Sequence, residues 1–146
     1  MKTQNKRKGG AVTESALCLP LILIIISATI ELTTTIYMKE SLTLAAYEGA
    51  RVAVTRGATD TQVRQRVTEV LEQRRITVAG SDPLDAIKVA PSAEDADILD
   101  PITITVVAPT AGNSASPFGF VRFITPPDMT VSVVMRKEFT IEEEGE

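Results

Sequence analysis

The chain opens with a basic tip that leads into a long apolar run. Residues 15–30 carry no charge, and these sixteen residues would form about 24 Å of α-helix. A hydrocarbon core is about 30 Å thick, so this run alone is too short to cross it. Counting from Gly10 to Ile30 gives twenty-one residues and about 31 Å, with Glu14 included. The pattern predicts a transmembrane segment over residues 10–31, with Glu14 inside it or at its cytoplasmic rim.

The same helix is predicted to continue past the membrane segment. No proline interrupts residues 21–56, and apolar residues recur there at spacings near three and four. We expect one helix over about 11–56, with Gly57 marking its end. Pro20 lacks a backbone donor and should bend this helix near residues 16–20.

Small residues form a smooth face on the second half of this helix. They recur four apart at Ala45, Gly49 and Ala53, and again at Ala46 and Ala50. Such a face allows a close approach of another backbone. It would pack on the protein's own domain or against another subunit.

A second, amphipathic helix is predicted at about 60–75. Thr59 and Gln62 have the spacing of a capping box. Arg74 and Arg75 follow at the carboxyl end, where the helix dipole favours cations, and we interpret them as a solvated face and cap rather than an anion site. The apolar stripe of this helix comprises Val63, Val67, Val70 and Leu71.

After the second helix, β-branched and polar residues alternate with a period of two. Clusters of proline, glycine and aspartate separate these stretches. The sequence therefore predicts an α+β fold with an antiparallel sheet of three to four strands, one face of which the helices cover. The predicted strands lie at about 76–79, 86–90, 101–108 and 129–140.

Two linkers separate the predicted strands. Residues 91–101 are acidic and lack the glycine and the distant glutamate of a calcium loop, so a solvated turn is the preferred interpretation. Residues 116–127 hold three of the four phenylalanines. That linker would pack back onto the core, or it would contact a partner or a membrane surface.

Charge is distributed unevenly between the tip and the rest of the chain. Residues 1–10 carry four basic and no acidic residues, whereas eleven basic and nineteen acidic residues give residues 11–146 a formal charge of −8. By the positive-inside rule the amino terminus stays cytoplasmic and the remainder crosses the inner membrane as a single-pass protein. An acidic domain is a poor partner for nucleic acid.

These patterns divide the chain into four parts. Residues 1–9 form a basic leader and residues 10–31 the transmembrane segment. Residues 32–141 form an extracytoplasmic domain that includes the continuing helix, and residues 142–146 form an acidic tail.

The composition offers little for catalysis. Histidine is absent, there is no glycine-rich phosphate loop, and the serines lack a recognisable base. The single thiol, Cys18, lies in the apolar run and is interpreted as a small buried hydrophobe. We expect no catalytic residue, cofactor, metal or small-molecule substrate, and hence no enzyme.

The glycine pair before the apolar run suggests proteolytic processing. A cut between Gly9 and Gly10 would shed the leader and make Glu14 the fifth residue of the mature chain. Glycines on both sides of the bond let an extended backbone enter a narrow active site. The basic residues before it would hold the leader at the cytoplasmic face.

This arrangement resembles the leader of type IV prepilins. With "GGAVTESALCLPLILII", the helix "YMKESLTLAAYEGARVAV" and the closing strand "MTVSVVMRKEF", the chain more specifically resembles the TadE-like proteins of tight-adherence (Flp-type) pilus systems. The resemblance covers about the first fifty residues. It implies a pilin-like fold and a minor pilin or pseudopilin that takes part in assembly of an adhesive filament.

The resemblance also implies roles for three residues. A membrane-embedded aspartic prepilin peptidase would cut so that Gly9 supplies the carbonyl and Gly10 the new amine. Glu14 would be the carboxylate that contacts a neighbouring subunit. Its charge would be neutralised by that subunit's α-amine, since a paired carboxylate is tolerated in hydrocarbon. The implied partners are the peptidase, other pilin subunits, the assembly platform and membrane lipids.

Two alternatives remain open. Glu14 would be a rim residue that reaches toward headgroups, with the segment acting as a plain signal anchor of an envelope protein with an interaction domain. Alternatively, an ordinary secretory signal would be cut after Ala28 and release a soluble binding domain.

Overall fold

The computed structural model describes residues 8–78, 86–115 and 126–137. Two helices precede three strands in the chain: α1 (Lys8–Ala53), α2 (Asp60–Gln73), β1 (Ile87–Ala90), β2 (Pro101–Pro109) and β3 (Asp128–Arg136). The strands form one antiparallel sheet in the order β1-β2-β3. The predicted α+β class with a long amino-terminal helix is confirmed.

The second half of α1 is the central element of the core. Its small residues Ala45, Ala46, Ala50 and Ala53 are completely buried within the protein's own domain. At Gly49 the helices approach so closely that a Cβ atom would overlap a methyl group of Val67 on α2. Packing on the protein's own domain is therefore the correct alternative for this face.

Helix α2 begins and packs as its sequence predicts. The Thr59 side chain accepts from the Gln62 backbone N–H at 3.3 Å, and the Gln62 side chain accepts from the Thr59 N–H, which completes the capping box. All four residues of the predicted apolar stripe are buried. The helix runs antiparallel to α1, since Val67 meets Gly49 while Arg74 lies beside Tyr37.

One ion-pair group links the two helices. Arg66 on α2 lies 3.2 Å from the Glu48 carboxylate on α1 and 3.4 Å from Glu69 on its own helix. The hydrogen bond to Glu48, and then that to Glu69, raises the pKa of Arg66. A guanidinium is charged at any physiological pH, and a solvent-accessible ion pair of this kind adds little stability.

The sheet turns one face to the helices and the other outward. On β2, alternate residues point into the core and are buried, whereas those between them are half-buried. On the outer face the Thr105 and Ser132 hydroxyls pair across β2 and β3 at 2.9 Å. The core-facing residues of β2 are Ile102, Ile104, Val106 and Ala108.

Several predicted boundaries shift by a few residues. Helix α1 begins at Lys8 and ends at Ala53, and a turn follows in which Gly57 has a φ of 73°. Strand β3 ends at Arg136, and residues 138–140 of the predicted strand lie outside the described part. Pro20 lies inside the continuous helix α1, and the bend there stays a prediction.

The strand predicted at 76–79 is wrong for residues 76–78, which form no regular element. The Asn113 side chain takes the place of a neighbouring strand: its oxygen accepts from the Thr77 N–H at 2.7 Å and its nitrogen donates to the Thr77 carbonyl at 2.6 Å. The same nitrogen donates to the Pro109 carbonyl at 2.8 Å. The Asn113 side chain thus pairs with both the N–H and the carbonyl of Thr77, so these two groups need no partner in a sheet.

Replacing Asn113 with alanine should lower the free energy of unfolding by about 1–3 kcal/mol, because three hydrogen bonds to backbone groups are lost. Chemical denaturation of the full-length protein in detergent micelles measures this. Ser114→Ala is the control, since that hydroxyl lies 3.3 Å from the Thr34 hydroxyl and contributes less. Equal stability of Asn113→Ala and the unmodified protein would show that these three hydrogen bonds do not stabilise the fold.

Candidate functional site

The predicted processing site lies in the first turns of α1. Gly9 and Gly10 are helical, and a Cβ atom on Gly10 would meet nothing within 4 Å beyond the local helix. Glycine is a weak helix former, so this turn can unwind into extended backbone at little cost. The Glu14 side chain is exposed. A step of four residues puts Gly10 and Glu14 on one helix face, about 6 Å apart along the axis.

The first half of α1 turns apolar side chains outward on every side. A helix that is apolar all round belongs in a membrane or a large core. By length and composition α1 is able to cross a bilayer, and it therefore fits a single-pass membrane anchor. Its exposed large apolar residues include Leu17, Leu19, Leu21, Ile22, Leu23, Ile24, Ile25, Ile26, Ile30, Leu32 and Ile36.

Two polar residues of this half are buried by the protein itself. Ser27 is 6% exposed and Glu31 is 2% exposed. Because Glu31 is the only charged residue within 15–38, the exposed surface of α1 carries no charge over these 24 residues, or about 36 Å. That length exceeds a hydrocarbon core of about 30 Å. Part of this length packs on the protein's own domain, at Ser27, Glu31 and Met38, so it does not replace residues 10–14 in the membrane span.

Hydroxyl groups along this surface donate to the helix itself. Thr29 donates to the Ile25 carbonyl at 2.8 Å, and Thr33 donates to the Thr29 carbonyl at 2.8 Å. Ser15 donates in the same way to the Ala11 carbonyl at 2.9 Å. A hydroxyl that is paired within its own helix is compatible with a lipid environment.

Cys18 lies on this outward surface, and its thiol is exposed. The interpretation of Cys18 as a small buried hydrophobe therefore depends on lipid around α1 and stays a prediction. The thiol faces the medium that surrounds the apolar part of α1.

The acidic linker is held by a lysine of the chain. The Lys137 ammonium donates to the Ala93 carbonyl at 3.2 Å and to the Ala96 carbonyl at 3.0 Å. At the other side of the linker, the Asp60 carboxylate accepts from the Ala93 N–H at 2.8 Å. Within the described residues, no group of three or more acidic, cysteine or histidine side chains could hold a metal ion. These hydrogen bonds hold the linker as a turn on the surface, which favours the solvated-turn interpretation.

Most of the phenylalanine-rich linker lies outside the described residues. The structure describes only residues 126 and 127 of the range 116–127. The predictions for this linker, and for the tail at 142–146, stay predictions.

Sequence patterns missed the contacts that join distant parts of the chain. Glu31 is buried, and Asn113 and Lys137 bind backbone groups far away in sequence. A lone asparagine after a strand and a lone lysine at a strand end have no pattern that distinguishes them from surface residues. Nothing in the sequence around Glu31 indicates its burial either.

Comparison with family models identifies the amino-terminal part of the chain. Residues 9–51 match the family model described as TadE-like protein, which confirms the resemblance drawn from the opening residues. The match supports involvement in a tight-adherence pilus system in general. Comparisons with curated proteins and with solved structures found no match.

Proposed function

From the TadE-like segment at residues 9–51, we propose that this chain is a minor pilin or pseudopilin that takes part in assembly of a tight-adherence (Flp-type) pilus for surface attachment. The family match is the observation on which the proposal depends. It begins at the glycine pair, includes Glu14 and the apolar run, and ends in the part of α1 that forms the domain core. The protein has no catalytic role in this proposal.

Processing is the first step in the proposed role. A prepilin peptidase cleaves between Gly9 and Gly10 and leaves the apolar helix on the mature protein. The leader stays cytoplasmic because its basic residues remain on that side of the inner membrane. The single-pass helix then holds the domain on the extracytoplasmic side, where other pilin subunits and the assembly platform are its partners.

Glu14 is the proposed contact between subunits. In the mature chain its carboxylate lies near the membrane surface on an exposed helix face. The α-amine of a neighbouring subunit's first residue neutralises it when the helices come together away from water. Pairing is the proposed reason for a carboxylate at this point.

The competing function is a signal-anchored envelope protein with an interaction domain. The exposed side chain of Glu14 is compatible with it, because a carboxylate at the rim would reach toward the headgroups without a partner. A secreted domain released after Ala28 is less favourable, since α1 continues through that position, and Ser27 before it and Glu31 after it are both buried by the protein.

Localisation in filaments tests the proposal. Cells that carry the unmodified gene, a deletion, or the complemented deletion are sheared, and filaments are separated from membranes. We expect few or no filaments in the deletion strain, with recovery on complementation. Normal filament number and normal surface attachment in the deletion strain would contradict the proposed function and favour the signal-anchored alternative.

A further inference from the structure

Strand β3 forms one edge of the sheet. Within the described residues it has a neighbouring strand on one side only, which is β2. The side chains of its even-numbered residues are exposed, and Val134 among them is 58% exposed. The backbone groups on the other side of β3 are therefore open to a further strand.

The hydrogen bonds at the two ends of β3 show which of its backbone groups point outward. The Thr110 N–H donates to the Pro127 carbonyl at 2.8 Å, and the Lys137 N–H donates to the Asp100 carbonyl at 3.2 Å. Directly opposite residues of an antiparallel pair bond to each other in this way at every second position. Odd-numbered residues of β3 therefore bond to β2, and the N–H and C=O groups of even-numbered residues point away from it. At the centre of the strand these outward groups belong to Thr130, Ser132 and Val134.

The edge of β3 lacks the features that normally keep a free strand from pairing. Exposed edges are usually short, charged or interrupted by proline. Strand β1, at the opposite edge, fits this rule, since it has four residues, contains Lys88 and is followed by Pro91. Strand β3 has nine residues, and residues 129–135 contain neither a charge nor a proline. Its edge is therefore suited to accept another strand.

The inner face of β3 is incompletely covered. Its four core-facing residues pack against the core but stay half-buried, whereas the core-facing residues of β2 are completely buried. An additional strand would place its own apolar side chains beside them and remove further apolar surface from water. The half-buried residues are Met129, Val131, Val133 and Met135.

Charges at the two ends of β3 define the chemistry of a matching strand. Asp128 and Arg136 are both exposed and lie eight residues apart. Opposite charges that face each other across two strands stabilise the pairing, and like charges destabilise it. A matching antiparallel strand therefore carries a basic residue opposite Asp128 and an acidic residue opposite Arg136. The sequence of β3 itself meets this requirement.

The membrane anchor nevertheless excludes a second copy of β3 as the partner. The Thr34 hydroxyl of α1 lies 3.3 Å from the Ser114 hydroxyl, at the end of the sheet where β3 begins. Gly49, further along α1, lies against Ile104, which pairs with Val133 further along β3. Helix α1 and strand β3 thus run in the same general direction. In an antiparallel pair of β3 strands the two anchors would point in opposite directions and could not enter one membrane from the same side.

We propose that the free edge of β3 binds an extended segment of a different protein, which joins the sheet as an antiparallel fourth strand. This segment turns alternate apolar residues toward the core and carries the two charges that match Asp128 and Arg136. Main-chain hydrogen bonds supply the affinity, and the charges determine the direction of the added strand. The inference rests on the single-pass anchor in the proposed function, but it needs neither processing nor pilus assembly.

A peptide with the sequence of β3 tests whether the edge accepts a strand. No membrane holds a free peptide, so DMTVSVVMR can pair antiparallel with β3 and place its arginine opposite Asp128. N-methyl groups at the peptide's Val131 and Val133 block its second edge and leave the pairing edge open. We expect this peptide, blocked at both ends and labelled with a dye, to bind the full-length protein in detergent micelles, as measured by fluorescence anisotropy.

The matched control is the same peptide with its two N-methyl groups at Thr130 and Val134. Two donors that should bond to the edge of β3 are then lost, so binding should weaken by at least about tenfold. Both peptides have the same composition and enter empty micelles equally. Equal binding of the two peptides to the protein would overturn the proposed pairing.

Exchange of the two charges tests the direction of the added strand. The Asp128→Arg, Arg136→Asp double variant should bind the original peptide about tenfold more weakly, because two pairs of opposite charges become pairs of like charges. A peptide with its own two charges exchanged should bind this variant as tightly as the original peptide binds the unmodified protein. Both positions are exposed, so the thermal midpoint of the variant should not change. Tighter binding of the original peptide to the variant would indicate a parallel strand and contradict the proposal.

Thiol labelling in native membranes tests whether a different protein covers this edge. Cys18→Ser removes the single thiol of the chain, and Ser132→Cys or Lys88→Cys then introduces one. The two positions are matched, because both are exposed and Thr105 pairs with Lys88 on one side and with Ser132 on the other. A bulky maleimide should label position 132 several times more slowly than position 88 in membrane fragments, and at a similar rate in the protein purified alone.

Two outcomes of the labelling experiment would contradict the proposal. One is the same ratio of rates in membranes and in the purified protein, which would leave the edge uncovered. The other is a disulfide-linked dimer through position 132 in membranes, which would identify a second copy as the partner. Peptide binding is measured without filaments, so its failure would leave the proposed function intact, and normal filaments in the deletion strain would not affect peptide binding.

Discussion

Replacing Gly49 with leucine should lower the free energy of unfolding by about 3 kcal/mol or more, enough to unfold much of a marginally stable domain. A Cβ atom at 49 would overlap a Val67 methyl group and lie 3.6 Å from Val63 and 3.7 Å from Ile104. A β-branched valine in a helix has one strongly preferred rotamer, so Val67 cannot turn aside. Denaturation of the full-length protein in detergent micelles measures the loss.

A double-mutant cycle provides the control for this prediction. Gly49→Ala should destabilise the protein by less than leucine does, and Val67→Ala should recover part of that loss by removing the overlapping methyl group. Thr43→Leu, on an exposed position of the same helix, should change stability little. Additive effects of Gly49→Ala and Val67→Ala would show that α1 and α2 do not pack at this point.

Replacing Glu14 with alanine should reduce incorporation into filaments by about a hundredfold or more while membrane insertion stays intact or improves. Removing one partner of a buried ion pair leaves the other charge unpaired, at a cost of about 3–5 kcal/mol. Insertion does not suffer, because the variant takes one charge away from the membrane segment. Quantitative immunoblots of sheared filaments and of membranes measure the two effects.

Glu40→Gln is the matched control for Glu14. Glu40 is an exposed acid on the same helix, outside the apolar run, and its change should leave incorporation normal. If filament number and composition were unaffected in Glu14→Ala, neutralisation between subunits would be the wrong explanation. Glu14 would then lie at the rim of the membrane, or its charge would be neutralised by the α-amine of its own chain, one helical turn away.

The sequence predicted those parts of the fold that depend on residues close together in the chain. The capping box at Thr59 and the apolar stripe of α2 depend on residues within one or two turns, and both were predicted correctly. The alternation along β2 predicted its buried face for the same reason. The small-residue face of α1 was visible in the sequence, but only the structure decides that α2 covers it.

The parts that could not be predicted depend on contacts between distant residues. An alternating stretch at 76–78 looks like a strand, yet Asn113, far along the chain, satisfies its backbone. Glu31 looks like the end of the apolar run because nothing nearby reveals that the folded domain buries it. This burial shows that the folded domain covers α1 down to the end of its apolar run, and the pairing proposed for Glu14 stays a prediction.

The predicted processing site rests on a sequence motif alone. Gly9, Gly10 and Glu14 were recognised by their order and spacing, and the family match over residues 9–51 covers them. Their geometry in a single helix shows that Gly10 and Glu14 share a face. What they contact in a filament depends on a neighbouring subunit.

The mass of the mature amino-terminal peptide tests the central claim most directly. The full-length protein is purified from membranes of cells that contain the native peptidase, alongside a Gly9→Leu variant whose bulky residue should block the cut and retain the leader. The account predicts a chain that begins at Gly10 in the unmodified protein and at the uncut leader in the variant. An unmodified protein that begins at Met1 or at Thr29 would contradict it.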